Sequence, residues 1–168
     1  MNHIMRGVLA ASLFAVPGLA VAAWQPARPI NIIVPWSAGG STDQVTRVVA
    51  PILEEALGQP VVVVNQPGAS GATGTQAALD AERDGYTWTA NAVANNATYA
   101  ITGLIDDTSI ADYRIYLHVA NVPVVSVNAD APYEDMGAFL EAMKSDDIPT
   151  VATAGVNSSG GMALAALK

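Results

Sequence analysis

The stretch INIIVPWSAGGSTDQVTR, residues 30–47, decides the fold. Its first part, INIIVPW, is a continuous apolar run, as expected of a parallel strand covered on both faces. The run ends in Trp36-Ser37-Ala38-Gly39-Gly40-Ser41-Thr42. From Asp43 onward, apolar residues recur at Val45, Val48, Val49, Ile52, Leu53, Ala56 and Leu57, which is helical spacing. Ser41 with Gln44 predicts a capping box, Pro51 predicts a kink, and Gly58 with Pro60 predicts the stop. A buried strand that passes through a flexible, donor-rich turn straight into a helix is the first half of a βαβ unit.

The same order repeats outward. Residues 61–66 (VVVVNQ) read as a second buried strand, followed by a helix over about residues 71–82. Asp84-Gly85-Tyr86 predicts a turn into a third strand over residues 86–92, and residues 95–110 read as helix and loop. Residues 113–132 are rich in β-branched and aromatic side chains and long enough for two strands. Residues 133–147 predict an amphipathic helix with Met136, Phe139, Leu140 and Met143 on one stripe. Residues 150–155 predict another strand, and NSSGGMALAALK opens a helix without a stop signal, so a second sheet is expected to be incomplete. The alternation is that of an α/β protein with parallel sheets.

Composition narrows the class. Of 168 residues 51% are apolar and 13% charged, which excludes a disordered chain. Part of the apolar excess lies in residues 1–23, where Arg6 precedes an apolar stretch that Pro17 and Gly18 interrupt and Ala20-Val21-Ala22 fits a cleavage site. That is the pattern of a secretory signal peptide, with an uncleaved anchor as the alternative. The expected location is periplasmic. No cysteine is present, so neither a disulfide framework nor a thiolate chemistry is available. Without Arg6, six basic residues face fifteen acidic ones, a net charge of −9, which argues against nucleic acid as a partner. A small anion is still allowed, because local dipoles hold it and exposed carboxylates are screened within about 8–10 Å.

Three strand-to-helix turns share one design: residues 36–42, residues 67–74 (PGASGATG) and residues 154–160 (AGVNSSG). Ligands of open α/β sheets bind beyond the carboxyl ends of the strands. Glycines there allow close approach, and free N–H groups at a helix start attract an anion without help from arginine or lysine. A lone Gly- and Ser-rich turn is more often only a cap, but three on one edge point to a site. Trp24, Trp36 and Trp88 are most simply packing residues, Trp36 being the exception because its turn forms the expected pocket wall.

WQPARPINIIVPWSAGGSTD, then GQPVVVVNQPGASGATGTQ, then DGYTW resemble, in order and spacing, the receptors of tripartite tricarboxylate transporters, the Bug-type periplasmic solute-binding proteins. TVATAGVNSSG resembles a later segment of the same family. The resemblance implies a periplasmic-binding-protein-like two-lobed fold, with a first lobe over residues 24–121, the start of a second over residues 122–168, and a hinge near residues 113–127. It further implies capture of a carboxylated metabolite that is presented to membrane permease subunits; the paired donor-rich turns make a di- or tricarboxylate the expected ligand, and a monomer without cofactor or metal is expected. Carried to matching positions, the ligand-binding residues are Trp36, Ser37, Ala38, Gly39, Gly40 and Asp43 in the first turn. Gly68, Ala69, Ser70 and Gly71 follow in the second, and Asn157, Ser158 and Ser159 in the third. The chain departs from the family at Ser41-Thr42, where an alanine-asparagine pair is commoner, and in length, since relatives run on for about as much chain again. A non-functional truncated receptor is therefore an alternative.

Other classes fit less well. Gly68, Gly71 and Gly74 form G-x-x-G-x-x-G, not the dinucleotide fingerprint, and the next strand ends without an acidic residue. A secreted serine hydrolase with Ser37 as nucleophile would need a histidine base, and past residue 23 the sole candidate is His118. The paired carboxylates at 54–55, 106–107 and 146–147 fall where solvated faces or turns are expected.

Overall fold

The computed structural model describes residues 24–116, 124–145 and 149–166. The signal-peptide reading, His118 and the centre of the expected hinge lie outside the described residues. Three strands, β1 (Ile30–Val34), β2 (Val61–Asn65) and β3 (Thr87–Thr89), form a parallel sheet in the order β2-β1-β3. Ile32 pairs in register with Val63 on one side and Trp88 on the other. Five helices accompany it: α1 (Ser41–Leu57), α2 (Ala72–Leu79), α3 (Val93–Thr102), α4 (Met136–Ala142) and α5 (Ser159–Ala166). Among the described residues no helix is long and apolar enough to cross a membrane.

The apolar run of β1, interrupted only by the half-buried Asn31, follows from its central place. Ile30, Ile32, Ile33 and Val34 are all buried, each such side chain contributing about 1.5–3 kcal/mol by leaving water. On one face Ile32 packs with Ala50 of α1, Val61, Leu53, Val63 and Trp88. The other face, with Asn31, Ile33 and Val64, looks toward Ala77 of α2. The edge strand β2 alternates instead, Val61 buried and Val62 and Val64 exposed, because α2 passes on to β3 and leaves that edge partly bare. A second cluster, Ala72, Tyr99 and Ile105 with Leu79, joins α2 to α3.

Several expectations need correction. Ser41 opens α1 as its first helical residue and caps nothing: Gly40 is the N-cap, and no side chain bonds to it as a cap. Gln44 donates its side-chain amide to the carbonyl of Gly39 (2.7 Å) rather than closing a box with Ser41. Other readings hold: Pro51 lies inside α1, and the helix stops at Gly58, whose left-handed φ of 67° lets its N–H return to the Glu54 carbonyl. Its apolar stripe is wider than the sheet it covers, so Val48 and Ile52 stay exposed. The second helix begins with a 3-10 turn, Ala69–Gly71. Residues 113–116, 124–132 and 149–155 hold no strand, although β propensity runs through them. Val124, Val125 and Val127 stand exposed, and β-branched residues form strand only where a neighbouring ladder accepts them. Helix α4 forms as its periodicity predicts, capped by Asp135, which accepts from the N–H of Ala138 (2.8 Å), with Phe139 buried against Tyr133.

Candidate functional site

Strand order places the ligand edge more narrowly than the sequence does. From the central β1 the chain goes through α1 to one neighbour, β2, and then through α2 on the opposite face to the other neighbour, β3. The crevice at such a reversal, beyond the carboxyl ends of the strands, is where open α/β sheets take their ligands. Here it is bounded by the turn after β1, which begins at Trp36, and by the segment after β3, which begins at Asn91.

Beneath the first turn lies an ion-paired scaffold. Asp43 is buried, and its carboxylate accepts from Arg47 Nε (3.0 Å), from the Gly39 N–H (2.8 Å) and from Asn65 Nδ2 (2.9 Å). The Arg47 hydrogen bond, then the Gly39 N–H, then Asn65 pull its pKa down to about 2. Asn65 also donates to the Trp36 carbonyl (3.1 Å) and accepts from Arg47 Nη2 (2.8 Å), which ties the ends of β1 and β2 to α1. Asp43 thus faces protein donors on every side and shapes the turn above it. Two of the expected anion-binding amides are also engaged: Gly39 N–H by Asp43, and Gly40 N–H by the Ser37 carbonyl (3.3 Å). The N–H groups of Ser37 and Ala38, both exposed residues, have no protein acceptor among the described residues.

The second turn carries backbone strain. Ala69 (φ 45°) and Ser70 (φ 54°) are both left-handed, a region that non-glycine residues seldom enter and that concentrates at functional sites. Gly71 follows at φ 90°. Its N–H bonds to the Gly68 carbonyl (2.8 Å), whereas those of Ala69 and Ser70 have no protein acceptor among the described residues. A side chain on Gly71 would meet Tyr99 Oη at 2.7 Å and Trp36 Cζ2 at 3.0 Å, so the first and second turns touch here. Gly68 is equally constrained: with φ 141° and its would-be Cβ 2.6 Å from Thr73 Oγ1, Gly68→Val rebuilds the turn instead of merely filling a ligand's place. We expect that variant to lower the melting temperature by several degrees, as scanning calorimetry would register; an unchanged melt would show the turn to be pliable.

The third turn lies against the second. Gly155 packs on the side chain of Ser70, and the Asn95 side-chain amide donates to the carbonyl of Asn157. Ser158, expected to face a ligand, is buried. Its hydroxyl donates to the Gly155 carbonyl (2.7 Å) and accepts from the Gly161 N–H (3.0 Å), which makes it the cap of α5. Ser159 is exposed at the helix start. Ser37 has no histidine partner among the described residues.

Four residues that sequence reasoning passed over hold these turns together: Asn65, Asn91, Asn95 and Tyr99. Asn91 accepts from Trp36 Nε1 (3.1 Å), and its two amide hydrogens are shared among Asn96 Oδ1 (2.9 Å), Tyr99 Oη (3.0 Å) and Thr75 Oγ1 (3.1 Å). Tyr99, fully buried, donates its hydroxyl hydrogen bond to the Ser70 carbonyl (3.1 Å). Burial raises its pKa, against a smaller opposing pull from Asn91 and Thr75, so it remains a donor. The signal was available in NAVANNAT, four residues of which are buried or half-buried polar groups just past β3.

A parallel α/β sheet whose carboxyl edge gathers strained, donor-rich turns places the chain in the open-sheet α/β class. The chain belongs to the tripartite tricarboxylate transporter family receptors (TctC), whose profile matches residues 45–168. It is similar to Protein BugT of Bordetella pertussis, with 56% identity over 62 residues that cover 37% of this chain and 19% of that one. It is also similar to a UPF0065 protein of Cupriavidus necator, with 33% identity over 146 residues, 85% of this chain and 44% of the relative. Among solved structures, a TctC solute-binding protein from Polaromonas aligns over 71% of this chain and 41% of its own, with 33% identity and a TM-score of 0.47. The chain spans less than half the length of these relatives.

Proposed function

We propose that this chain is the ligand-capturing part of an exported, non-enzymatic receptor that grips a small di- or tricarboxylate through main-chain amides and delivers it to a membrane permease. The observation that carries the reading is the set of N–H groups at Ser37, Ala38, Ala69 and Ser70 that have no acceptor among the described residues, on two turns that meet at Gly71. A charge-assisted hydrogen bond contributes about 1.5–3 kcal/mol. Several of them, less the ordering cost, reach roughly −8 kcal/mol, the micromolar range. The buried Asp43 does not oppose an anion there, because Arg47 and two neutral donors face its charge. Membership of the receptor family supports the same reading. In this reading residues 24–121 form one lobe, residues 122–168 begin another, and the third turn brings Asn157 and Ser159 to the ligand's far side. A ligand touching both lobes would favour the closed arrangement by its differential affinity.

Calorimetry against succinate, malate and citrate, with acetate and glucose as controls, tests the proposal on this chain and on a longer relative with the same turns. Binding confined to the di- and tricarboxylates is expected; a preference for glucose or for cations would end it. Gly40→Val sharpens the test. Gly40 has an ordinary φ of −71°, and a Cβ there meets only the Ser37 carbonyl, at 3.3 Å. The fold should persist while carboxylate affinity drops more than about a hundredfold, equivalent to the loss of one or two amide contacts. Retained affinity would move the site away from the first turn.

A further inference from the structure

From the hydrogen-bond geometry past β3, we infer that Asn91 is a positioning residue that sets both walls of the site at once, holding the Trp36 ring on one side and, through Tyr99, the strained Ala69–Ser70 turn on the other. Three observations carry this. First, Asn91 stands at the point where the chain leaves β3, directly across the strand-order reversal from Trp36. Second, its amide has one possible orientation. The oxygen faces two donors, Trp36 Nε1 (3.1 Å) and the N–H of Ala92 (2.9 Å). The nitrogen faces three acceptor oxygens, on Thr75, Asn96 and Tyr99. Reversing the amide would set donor against donor on one side and leave those three oxygens without its N–H groups on the other.

Third, the bonds run in one direction. The indole N–H of Trp36 gives to Asn91, Asn91 gives to the Tyr99 oxygen, and Tyr99 gives to the Ser70 carbonyl. Each bond polarises the next, so the two walls are linked mechanically and electrostatically. The Ser70 carbonyl belongs to the pair of left-handed residues whose N–H groups have no protein acceptor among the described residues. Among the described residues Tyr99 is the donor that draws that carbonyl away from the site, and without it relaxation of the turn toward ordinary φ would re-aim those amides. Asn91 touches neither the amides nor any ligand in this scheme; it acts through Trp36 and Tyr99.

The affinity arm of the test rests on the carboxylate-receptor reading, and the spectroscopic arm does not. Two variants separate the walls. Asn91→Ala removes both links, whereas Tyr99→Phe removes only the bond to Ser70 and keeps the ring in place. Succinate and citrate serve as probes in calorimetry, and tryptophan emission with acrylamide quenching reports Trp36, the Trp36→Phe background subtracting Trp24 and Trp88. Asn91→Ala should shift Trp36 emission and raise its quenching, and should weaken binding about ten- to hundredfold, the effect of one buried polar group losing its partner. Tyr99→Phe should weaken binding about tenfold with Trp36 emission unchanged. Wild-type emission and quenching in Asn91→Ala would overturn the inference, as would wild-type affinity in Tyr99→Phe. If Asn91→Ala does not fold, Tyr99→Phe decides through affinity. If the unsubstituted chain binds neither probe, the receptor reading fails, and the Trp36 signal alone then decides the role of Asn91.

Discussion

Gly74→Val is expected to shift the unfolding transition of the domain to much lower urea. The would-be Cβ of Gly74 lies 2.6 Å from the Gln66 carbonyl oxygen, 2.9 Å from Pro35 Cα and 3.0 Å from Pro35 Cβ. These neighbours are the carboxyl ends of β2 and β1, so no flexible side chain can yield. Helix α2 would have to lift off the sheet, taking buried Ala72 and Thr75 with it. Forcing extra carbons into such a contact costs typically 1–3 kcal/mol where side chains can repack. With backbone on both sides, about 3 kcal/mol or more is expected, a large share of the roughly 5–15 kcal/mol that stabilises an ordinary domain. Urea denaturation followed by circular dichroism measures it, with Gly74→Ala as the milder member of the series. A valine variant with the wild-type midpoint would mean that α2 does not pack as described.

The second large effect is on pH dependence and centres on Asp43. Its folded pKa of about 2 lies below the roughly 3.9 of an unfolded aspartate. A carboxyl whose pKa is lowered by folding adds stability that is complete above the unfolded value and disappears as pH falls through the folded one. The melting temperature should therefore decline between about pH 5 and pH 2 as Asp43 takes up its proton and releases Gly39, Arg47 and Asn65. Asp43→Asn should flatten this part of the profile and lower stability at neutral pH, because Arg47 and the Gly39 N–H lose their anion. Carboxylate binding should weaken in the same variant, since the turn that bears Ser37 and Ala38 loses its anchor. A variant whose acid limb matches the wild type would show that other carboxylates carry the transition.

Much of the fold was legible in the chain itself. The run at 30–34, apolar but for the half-buried Asn31, reads as a central parallel strand, and it is one, because a strand covered on both faces shows no regular polar alternation. Helix α1, its stop at Gly58 and helix α4 follow from periodicity and local stop and cap chemistry, which need only neighbours within a few residues. The expected strands at 113–132 and 150–155 failed among the described residues for the opposite reason. A strand exists only with a partner, and β-branched composition cannot supply one.

The site divides in the same way. Sequence alone marked the Gly-rich turns, since glycine and small residues at a strand-helix junction announce a close backbone approach. It also supplied the resemblance that family membership confirms. Which amides remain free was decided only by tertiary structure. Gly39 and Gly40 are occupied by Asp43 and Ser37, Ser158 turns inward to cap α5, and Ala69 and Ser70 are held left-handed with Tyr99 on the Ser70 carbonyl. The physical reason is that a hydrogen bond needs its partners within about 3 Å, and the donors that fix these turns come from far along the chain: Asn65 holds Asp43 under Gly39, and Asn91 acts through Tyr99, which donates to the Ser70 carbonyl.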